Sequence, residues 1–248
     1  MKIIAFKRPL FAHQEIWFYD GAPVTERSKN IYYQSLVQPP GNALSVKEFH
    51  TLATNLSDDE TTIYARINPT FRYDIKRGGE LNLDHQVLDL RDKHQLLTYL
   101  KTYNRFAKKK KLMPLPAWRV EALACSALIV TVVKRDSQLI STHAYLQDGT
   151  RARLLTSHTS PSTMSGTQLG YCNKYHHWQD IRYFKKLNFV WYDWGGVPTN
   201  QKDGRYNFKQ SFGGEPQLFH HFITCKKWLR PWLRLQTICE ESIKKAVL

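Results

Sequence analysis

The chain has 248 residues, and its 36 lysines and arginines outnumber 21 aspartates and glutamates, so the formal net charge is +15 at pH 7. This length fits one large domain or two small ones. A hydrophobic fraction of 42% is enough for a buried core, which excludes global disorder. No apolar run approaches the roughly 20 residues that a membrane-spanning helix needs. The basic balance predicts an anionic partner, which can be nucleic acid, a phospholipid surface or a phosphorylated substrate.

The first residues of the chain indicate its cellular compartment, and the spacing of its cysteines indicates whether it binds a metal. A charge falls inside what would be the apolar core of a secretion signal, so we expect a cytoplasmic protein. The 4 cysteines form no Cys-x-x-Cys pair, which argues against a zinc ribbon and against a disulfide scaffold. Cys172, His176 and His177 can be drawn as a metal site. A small buried thiol beside two helix histidines is the favoured interpretation, and no metal is predicted.

The amino-terminal half gives mixed signals. A capping-box pattern at residues 45–48 predicts a helix over 46–56, with apolar residues at helical spacing. Residues 61–67 are predicted to form a strand, and Gly78-Gly79 a turn. Asp92 can cap a second helix that ends in four lysines, 108–111. These lysines are either a solvated helix end or a phosphate-binding patch.

The order of elements is clearer in the second half. The longest apolar run, 123–133, is predicted to be a buried strand, and Asp148-Gly149 is a strong hairpin signal. The predicted elements are strands at 127–133, 139–145 and 151–157, a helix at 168–187 with Asn188 as its left-handed cap, a strand at 189–193, a helix at 206–212 and a strand at 217–223. This order predicts a mixed sheet flanked by helices, in an α/β or α+β domain.

Two places in this half could carry chemistry. Residues 162–170 open the long helix with hydroxyls and glycines, and helix amino termini bind anions. An ordinary hydroxyl-capped helix is the alternative interpretation. The second place follows the strand at 189–193, where Asp193 and the pair Gly195-Gly196 precede Lys209. Asp193 could hold or deprotonate a substrate amine, and Lys209 could hold an anionic group or an oxyanion. Both residues could instead be structural.

Three blocks in these places resemble one protein family. They are Gln168-Leu-Gly-Tyr-Cys-Asn-Lys-Tyr-His-His-Trp178, then Tyr192-Asp-Trp-Gly-Gly-Val197, then Tyr206-Asn-Phe-Lys-Gln-Ser-Phe-Gly-Gly-Glu215. Over about residues 120–225 the chain resembles the GNAT acetyltransferase superfamily, in the branch of the Fem aminoacyl transferases of peptidoglycan synthesis. The resemblance implies a GNAT-like, mostly antiparallel mixed sheet flanked by helices, with a divergent amino-terminal half. It also implies acyl transfer to an amine on a cell-envelope precursor, such as an amino sugar or a peptidoglycan or lipopolysaccharide component.

The resemblance leaves two donors open. The acyl-CoA pattern of ordinary GNAT enzymes, Gln/Arg-x-x-Gly-x-Gly/Ala, has no clean match between Met164 and Gly170. Fem enzymes take their acyl group from aminoacyl-tRNA, which the +15 charge would accommodate. The co-substrate is therefore expected to be acyl-CoA, such as acetyl-CoA, or aminoacyl-tRNA. A non-catalytic module that binds nucleic acid or membrane is the alternative from another class.

The blocks, the opening of the long helix and the predicted strands supply the candidate site residues. The catalytic candidates are Tyr192, Asp193 and Lys209. The donor-binding candidates are Ser165, Gly166, Thr167, Gly170 and Asn173. The substrate-binding candidates are His158, Gly195, Gly196 and Tyr206. The strand histidines His143 and His158 are possible bases, although a lone strand histidine is more often structural.

We expect three segments: a divergent region at 1–115, the catalytic core at 116–225 and a basic aromatic segment at 226–248. In the last segment, Trp228, Arg230, Trp232 and Arg234 could contact an anionic membrane and place the protein at the inner membrane surface. The alternative is a helix that packs its tryptophans into the core.

Overall fold

A computed structural model describes residues 1–6, 13–21, 30–39, 41, 43 and 45–225. The chain divides into two compact units, Met1–Phe49 with Leu218–Leu248, and His50–Gln217. These boundaries differ from those of the three expected segments, because the last described strand pairs with a strand near the start of the chain. The predicted membrane contact through Trp228, Arg230, Trp232 and Arg234 lies outside the described residues.

The first unit is built on β-strands. Its elements are β1 (Lys2–Phe6), β2 (His13–Tyr19), β3 (Asn30–Ser35) and most of β10 (Glu215–Cys225). β1 and β2 are antiparallel, β2 and β3 are parallel, and β3 and β10 are antiparallel. Ile16, Ile31, Tyr33 and Phe222 form the apolar cluster of this unit.

The second unit contains the remaining elements. They are β4 (Ser45–Asn55, from His50 onward), α1 (Glu60–Arg66), α2 (Pro69–Gly79), β5 (Asp84–Val87), α3 (Lys93–Lys109), α4 (Ala117–Ala124), β6 (Leu128–Arg135), β7 (Gln138–Gln147), β8 (Arg151–Thr159), α5 (Gly166–Lys186), β9 (Trp191–Gly196) and α6 (Gly204–Gln210). The strand order is β4-β9-β8-β7-β6-β5. Within this order β8 and β9 are parallel, and the other neighbours are antiparallel.

Most elements predicted for the second half are confirmed. Asp92 caps α3 by accepting a hydrogen bond from the His94 amide, and Asn188 has φ of 61° after α5. The apolar run 123–133 is a strand only from Leu128 onward, because its first residues end α4. Gly78 and Gly79 close α2 rather than forming a separate turn.

Besides the turn at Gly78-Gly79, two further predictions for the first half are wrong. Residues 46–56 form strand β4 instead of a helix, and residues 51–54 are all buried, as in a strand covered on both faces. The predicted strand at 61–67 is helix α1, which Asp59 caps through the Thr62 amide. Ile63 and Ile67, four residues apart, share the buried face of that turn. In both places tertiary packing, rather than local sequence preference, decides the secondary structure.

Helices cover both faces of the second sheet. On one face Tyr99 of α3 lies 3.2 Å from the Thr156 hydroxyl of β8. On the other face Asp180 of α5 contacts His143 and Tyr145 of β7. Among the described residues, no helix is both long enough and apolar enough to cross a bilayer.

Candidate functional site

β8 and β9 pair along a short stretch and then part. Within residues 45–225 they are joined in register from Arg151↔Trp191 to Arg153↔Asp193, whereas β8 continues to Thr159. The register of β8 against β7 shifts beyond Leu154, so Leu155 is an extra residue, a β-bulge that bends the strand. The parting of two parallel strands opens an edge at which backbone groups can face a ligand.

Gly195 lies two residues beyond the last register pair of β8 and β9, where the two backbones are still close together. Its φ is +68°, a conformation that favours glycine, and a Cβ here would collide with the carbonyl oxygen of Leu154. The following glycine, Gly196, is exposed and ends the strand. A glycine is therefore required at 195 for the backbone to pass this close to β8.

Lys209 extends from α6 to the end of β9. Its Nζ donates a hydrogen bond to the carbonyl oxygen of Gly196 at 2.7 Å and lies 3.4 Å from that of Gly195. Burial lowers the pKa of Lys209 to about 8, although the Asp193 charge acts in the opposite direction. Among the described carboxylates none forms an ion pair with this ammonium. Lys209 is thus a partly desolvated donor at the end of β9, beyond the last register pair of β8 and β9.

Asp193 lies in the same region but is enclosed. Its carboxylate accepts hydrogen bonds from Arg151 and Arg153, each at 2.9 Å, from Thr51 at 2.6 Å and from the Gly195 amide at 2.9 Å. Burial alone would raise the pKa of Asp193, but the two arginines outweigh it and hold the pKa below its usual value. A carboxylate stabilised in this way is a poor base, so the geometry opposes the predicted deprotonation of an amine by Asp193. It fixes the Gly195 backbone instead.

Tyr192 faces the α5 side of the sheet, away from the Asp193 carboxylate. Its hydroxyl lies 2.7 Å from that of Tyr145 and 2.9 Å from Nδ1 of His177, and it is fully buried. Burial raises the pKa of Tyr192 well above its usual value. The Tyr192 hydroxyl, a predicted catalytic group, is therefore bonded to other side chains inside the protein and does not face solvent.

The donor-binding candidates lie in the first two turns of α5. Ser165 accepts a hydrogen bond from the Gln168 amide, and the Gln168 side chain accepts one from the Ser165 amide, which makes a capping box. A Cβ at Gly166 would meet no atom within 4 Å, and at Gly170 it would meet only the Lys174 ammonium at 3.8 Å. Thr167 is exposed and Asn173 is half-buried. The protein's own packing leaves space beside both glycines, so this turn is open to an incoming group.

Two substrate-binding candidates lie in the interior. Tyr206 is buried in the large apolar cluster of the second unit. His158 is buried on the α3 face, with its ring 5.8 Å from that of Tyr103 and 5.4 Å from that of Phe106. Neither ring nitrogen of His158 has a hydrogen-bond partner among the described residues, and burial lowers its pKa to about 4. The structure thus brings Lys209, Gly195, Gly196 and Asp193 together and keeps Tyr206 and His158 apart from a solvent-facing site.

Sequence reasoning missed a buried polar network on the α5 face. Asp180 is at its centre: Oδ1 lies 2.8 Å from Nε2 of His85, and Oδ2 lies 2.7 Å from Nδ1 of His143 and accepts a hydrogen bond from Tyr145 at 2.6 Å. Since His143 is fully buried here, it has no access to a substrate. The one sequence signal was the spacing of His176 and Asp180, which puts both side chains on the same side of one helix.

The histidines of this network are stacked. The His143 ring lies 3.7 Å from that of His176 and 4.1 Å from that of His177. Burial holds the pKa of both His176 and His177 well below the usual value. Burial would raise the pKa of Asp180, but the surrounding imidazoles hold it well below its usual range. An ionised carboxylate beside the neutral imidazoles of His176 and His177 is an arrangement that can hold a proton or a cation.

Known structures share this architecture. A crystal structure of FemX matches with a TM-score of 0.63 and 11% identity, over 88% of this chain and 83% of that one. L-PGS from Bacillus licheniformis matches with a TM-score of 0.53 and 9% identity, over 77% and 67%. A domain from Agrobacterium fabrum assigned as the C-terminal domain of a lysylphosphatidylglycerol synthetase matches with a TM-score of 0.52 and 11% identity, over 84% and 72%.

No protein-family model matches the chain, and neither does any curated protein. At these identities the likeness to known structures concerns the fold. It confirms the mixed α/β class and the similarity to Fem transferases that the sequence blocks predict. The chain has a GNAT-like fold that resembles the fold of FemX.

Proposed function

We propose that the protein transfers an aminoacyl group from aminoacyl-tRNA to an amine on a cell-envelope precursor. The acceptor nitrogen forms a bond to the ester carbonyl carbon, the bond from that carbon to the ribose oxygen breaks, and the amine proton passes to the departing oxygen. This reaction needs an oriented carbonyl, a nearby amine and donors for the oxyanion that develops.

The position of Lys209 carries the proposal. Its ammonium is partly desolvated and, among the residues that the structure describes, is bonded only to backbone carbonyl oxygens of β9, beyond the last β8–β9 pair. A donor without a carboxylate partner can turn toward a new oxyanion at small electrostatic cost. Asp193 supports this placement because its carboxylate accepts a hydrogen bond from the Gly195 amide. The Gly195 backbone that it fixes carries one of the carbonyl oxygens that Lys209 contacts.

The choice of donor rests on three observations. The turn that opens α5 has no clean acyl-CoA pattern. The charge of +15 suits a polyanionic donor. FemX shares the fold, and the Fem resemblance of the sequence blocks implies aminoacyl-tRNA. The exposed lysines that end α3 and follow it, residues 108–111, offer one surface for a phosphate backbone.

The acceptor is the less constrained half of the proposal. The Fem resemblance points to an amine of a peptidoglycan precursor, and an amino sugar or a lipopolysaccharide component has the same reacting group. The name of the Agrobacterium neighbour points to a phospholipid acceptor for that protein, which is an outcome that a screen of acceptors would reveal.

The test is a transfer assay with matched lysine variants. Wild-type protein receives labelled aminoacyl-tRNA or acyl-CoA, together with a set of envelope precursors, and mass spectrometry identifies the product. Lys209→Met should lower the rate about 10²–10³-fold, the usual loss for one oxyanion donor. Lys202→Met, at an exposed lysine before the same helix, should keep the wild-type rate.

Three results would count against the proposal. Equal rates for Lys209→Met and wild type would remove Lys209 from the reaction. Transfer from acyl-CoA and not from aminoacyl-tRNA would show that the proposed donor is wrong. Tight binding of tRNA without transfer to any acceptor would favour the non-catalytic module.

A further inference from the structure

The network around Asp180 contains a triple of side chains with the composition of a metal site. Nε2 of His85, Nε2 of His176 and a carboxylate oxygen of Asp180 lie within 4.8 Å of one another. Imidazole nitrogens and carboxylate oxygens are ligands of Zn²⁺ and related divalent ions. We infer that these three residues form a binding site for one divalent transition-metal ion. The inference does not depend on the proposed transfer reaction.

The distances are near those that an ion requires. Nε2 of His85 lies 2.8 Å from Oδ1 of Asp180, and Nε2 of His176 lies 3.6 Å from Oδ2, the other oxygen of the same carboxylate, which Tyr145 and His143 also contact. Ligand atoms of a tetrahedral zinc site, with bonds of about 2.0–2.2 Å, are roughly 3.3–3.5 Å apart. Binding therefore requires His85 to withdraw by about half an ångström. His85 can move because it is on the four-residue strand β5, last in the strand order of its unit, with 15% of its side chain exposed.

Ring orientation distinguishes this triple from a second one. A nitrogen lone pair lies in the plane of its imidazole, so two rings can share an ion when their planes converge. The rings of His85 and His176 are inclined at 74°. His143 and His177 also surround Asp180, but their rings stack at 23°, so their lone pairs run side by side. The first triple is the better ligand set.

Outer contacts hold the ligands in place. The Ser141 hydroxyl lies 2.6 Å from Nδ1 of His176, which leaves Nε2 for the ion. Tyr145 and His143 bond to Oδ2 of Asp180, so that Oδ1 faces His85. Metal-binding histidines and carboxylates in proteins are oriented by such contacts. The Thr131 hydroxyl, 3.0 Å from Nε2 of His176, is the group that the ion would displace.

One ligand of the site lies at the surface, because 15% of the His85 side chain is exposed, whereas His176 and Asp180 are fully buried. A cavity of about 550 Å³ is lined by His85, Tyr183, Glu60 and Lys186 among others. This cavity can supply water or an anion as a fourth ligand. Three protein ligands with one exchangeable position would let a chelator remove the ion.

The test measures metal content and affinity. The full chain, purified without a metal-affinity tag, is treated with a chelator, dialysed and titrated with Zn²⁺ by calorimetry, and the bound metal is counted by mass spectrometry. We expect one Zn²⁺ per chain. His85→Asn should weaken binding at least about tenfold, the scale of loss of even an outer contact. His94→Asn, at an exposed histidine of α3, should bind as wild type does.

Wild-type protein that takes up no stoichiometric Zn²⁺ would overturn the inference. So would a His85→Asn protein with wild-type affinity, because the ion would then be held elsewhere. If His85→Asn does not fold, as judged by circular dichroism, Ser141→Ala decides. It removes only the hydroxyl behind His176 and should lower Zn²⁺ affinity about tenfold, and unchanged affinity would contradict the site.

Discussion

Replacing Asp193 by asparagine tests how the opening between β8 and β9 is held. The substitution keeps the shape of the side chain but removes the charge that two buried arginines share. Arg151 and Arg153 are 5% and 1% exposed, so water cannot replace the lost carboxylate. Breaking a buried ion pair in this way costs about 3–5 kcal/mol of unfolding free energy. For a domain of this size that is a fall in Tm of about 6–20 °C.

The assay is denaturation by urea and by heat, with Asp136→Asn as the control. Asp136 is 79% exposed and lies 3.7 Å from Arg135, so its loss should leave the unfolding midpoint near that of wild type. The contribution of Asp193 to the unfolding free energy of the wild-type protein should also depend on pH. Because the folded pKa of Asp193 lies below the usual value of an aspartate, this contribution is present above about pH 4 and is lost as the pH falls through the folded pKa. A loss below about 1 kcal/mol for Asp193→Asn would refute the role of this carboxylate in holding β9.

Three further predictions concern Gly195, the network around Asp180 and Lys209. Gly195→Ala should cost more than about 2 kcal/mol by urea denaturation, because left-handed strain of about 1–2 kcal/mol adds to the collision with β8. Gly149→Ala, with φ of 93° and open space, should cost only the strain, and equal losses would contradict the collision. Tyr145→Phe should cost about 1.5–3 kcal/mol because Asp180 loses a buried donor, and an unchanged Tm would count against the network. Transfer by wild type should slow above pH about 8, where the Lys209 ammonium is lost, while Lys209→Arg should not show this decline. The same decline in both would assign it to another group.

The second half of the chain could be predicted because its signals are local. Asp148-Gly149 marks the turn between β7 and β8, and Gly149 has the positive φ that the pattern implies. Ser165 and Gln168 form a capping box at the start of α5, and Asn188 follows its end. Each signal involves neighbours in sequence, so no knowledge of strand pairing was needed.

The failures in the first half come from strand pairing. The residues of β4 have helical spacing and a capping-box pattern, but Ala53 and Thr54 pair with Asp193 and Tyr192 of a strand far along the chain. Burial between neighbouring strands then outweighs local helix signals. The composition of residues 61–67 favours a strand, while the cap of Asp59 and the burial of Ile63 make a helix.

The site shows the same limit. The motifs group Asp193 with Lys209, and in the structure the Lys209 ammonium contacts the carbonyl oxygens of Gly195 and Gly196, shortly after Asp193 in β9. The arginines that occupy Asp193 come from β8, and only the parallel register of β8 against β9 brings them there. His85 and Asp180 are 95 residues apart and meet through β5 and α5, so no local pattern could join them.

A crystal structure with a stable analogue of the reacting centre would show whether Lys209 donates to the oxyanion of the transfer reaction. In the analogue, a tetrahedral phosphorus replaces the ester carbonyl carbon. It is bonded to the ribose oxygen of an adenosine, to the carbon of the amino acid and to the acceptor nitrogen. The proposal predicts the phosphonate oxygen about 2.7–3.1 Å from Nζ of Lys209, at the mouth between β8 and β9. An analogue bound elsewhere on the protein, with Lys209 still on the Gly196 carbonyl oxygen, would contradict it.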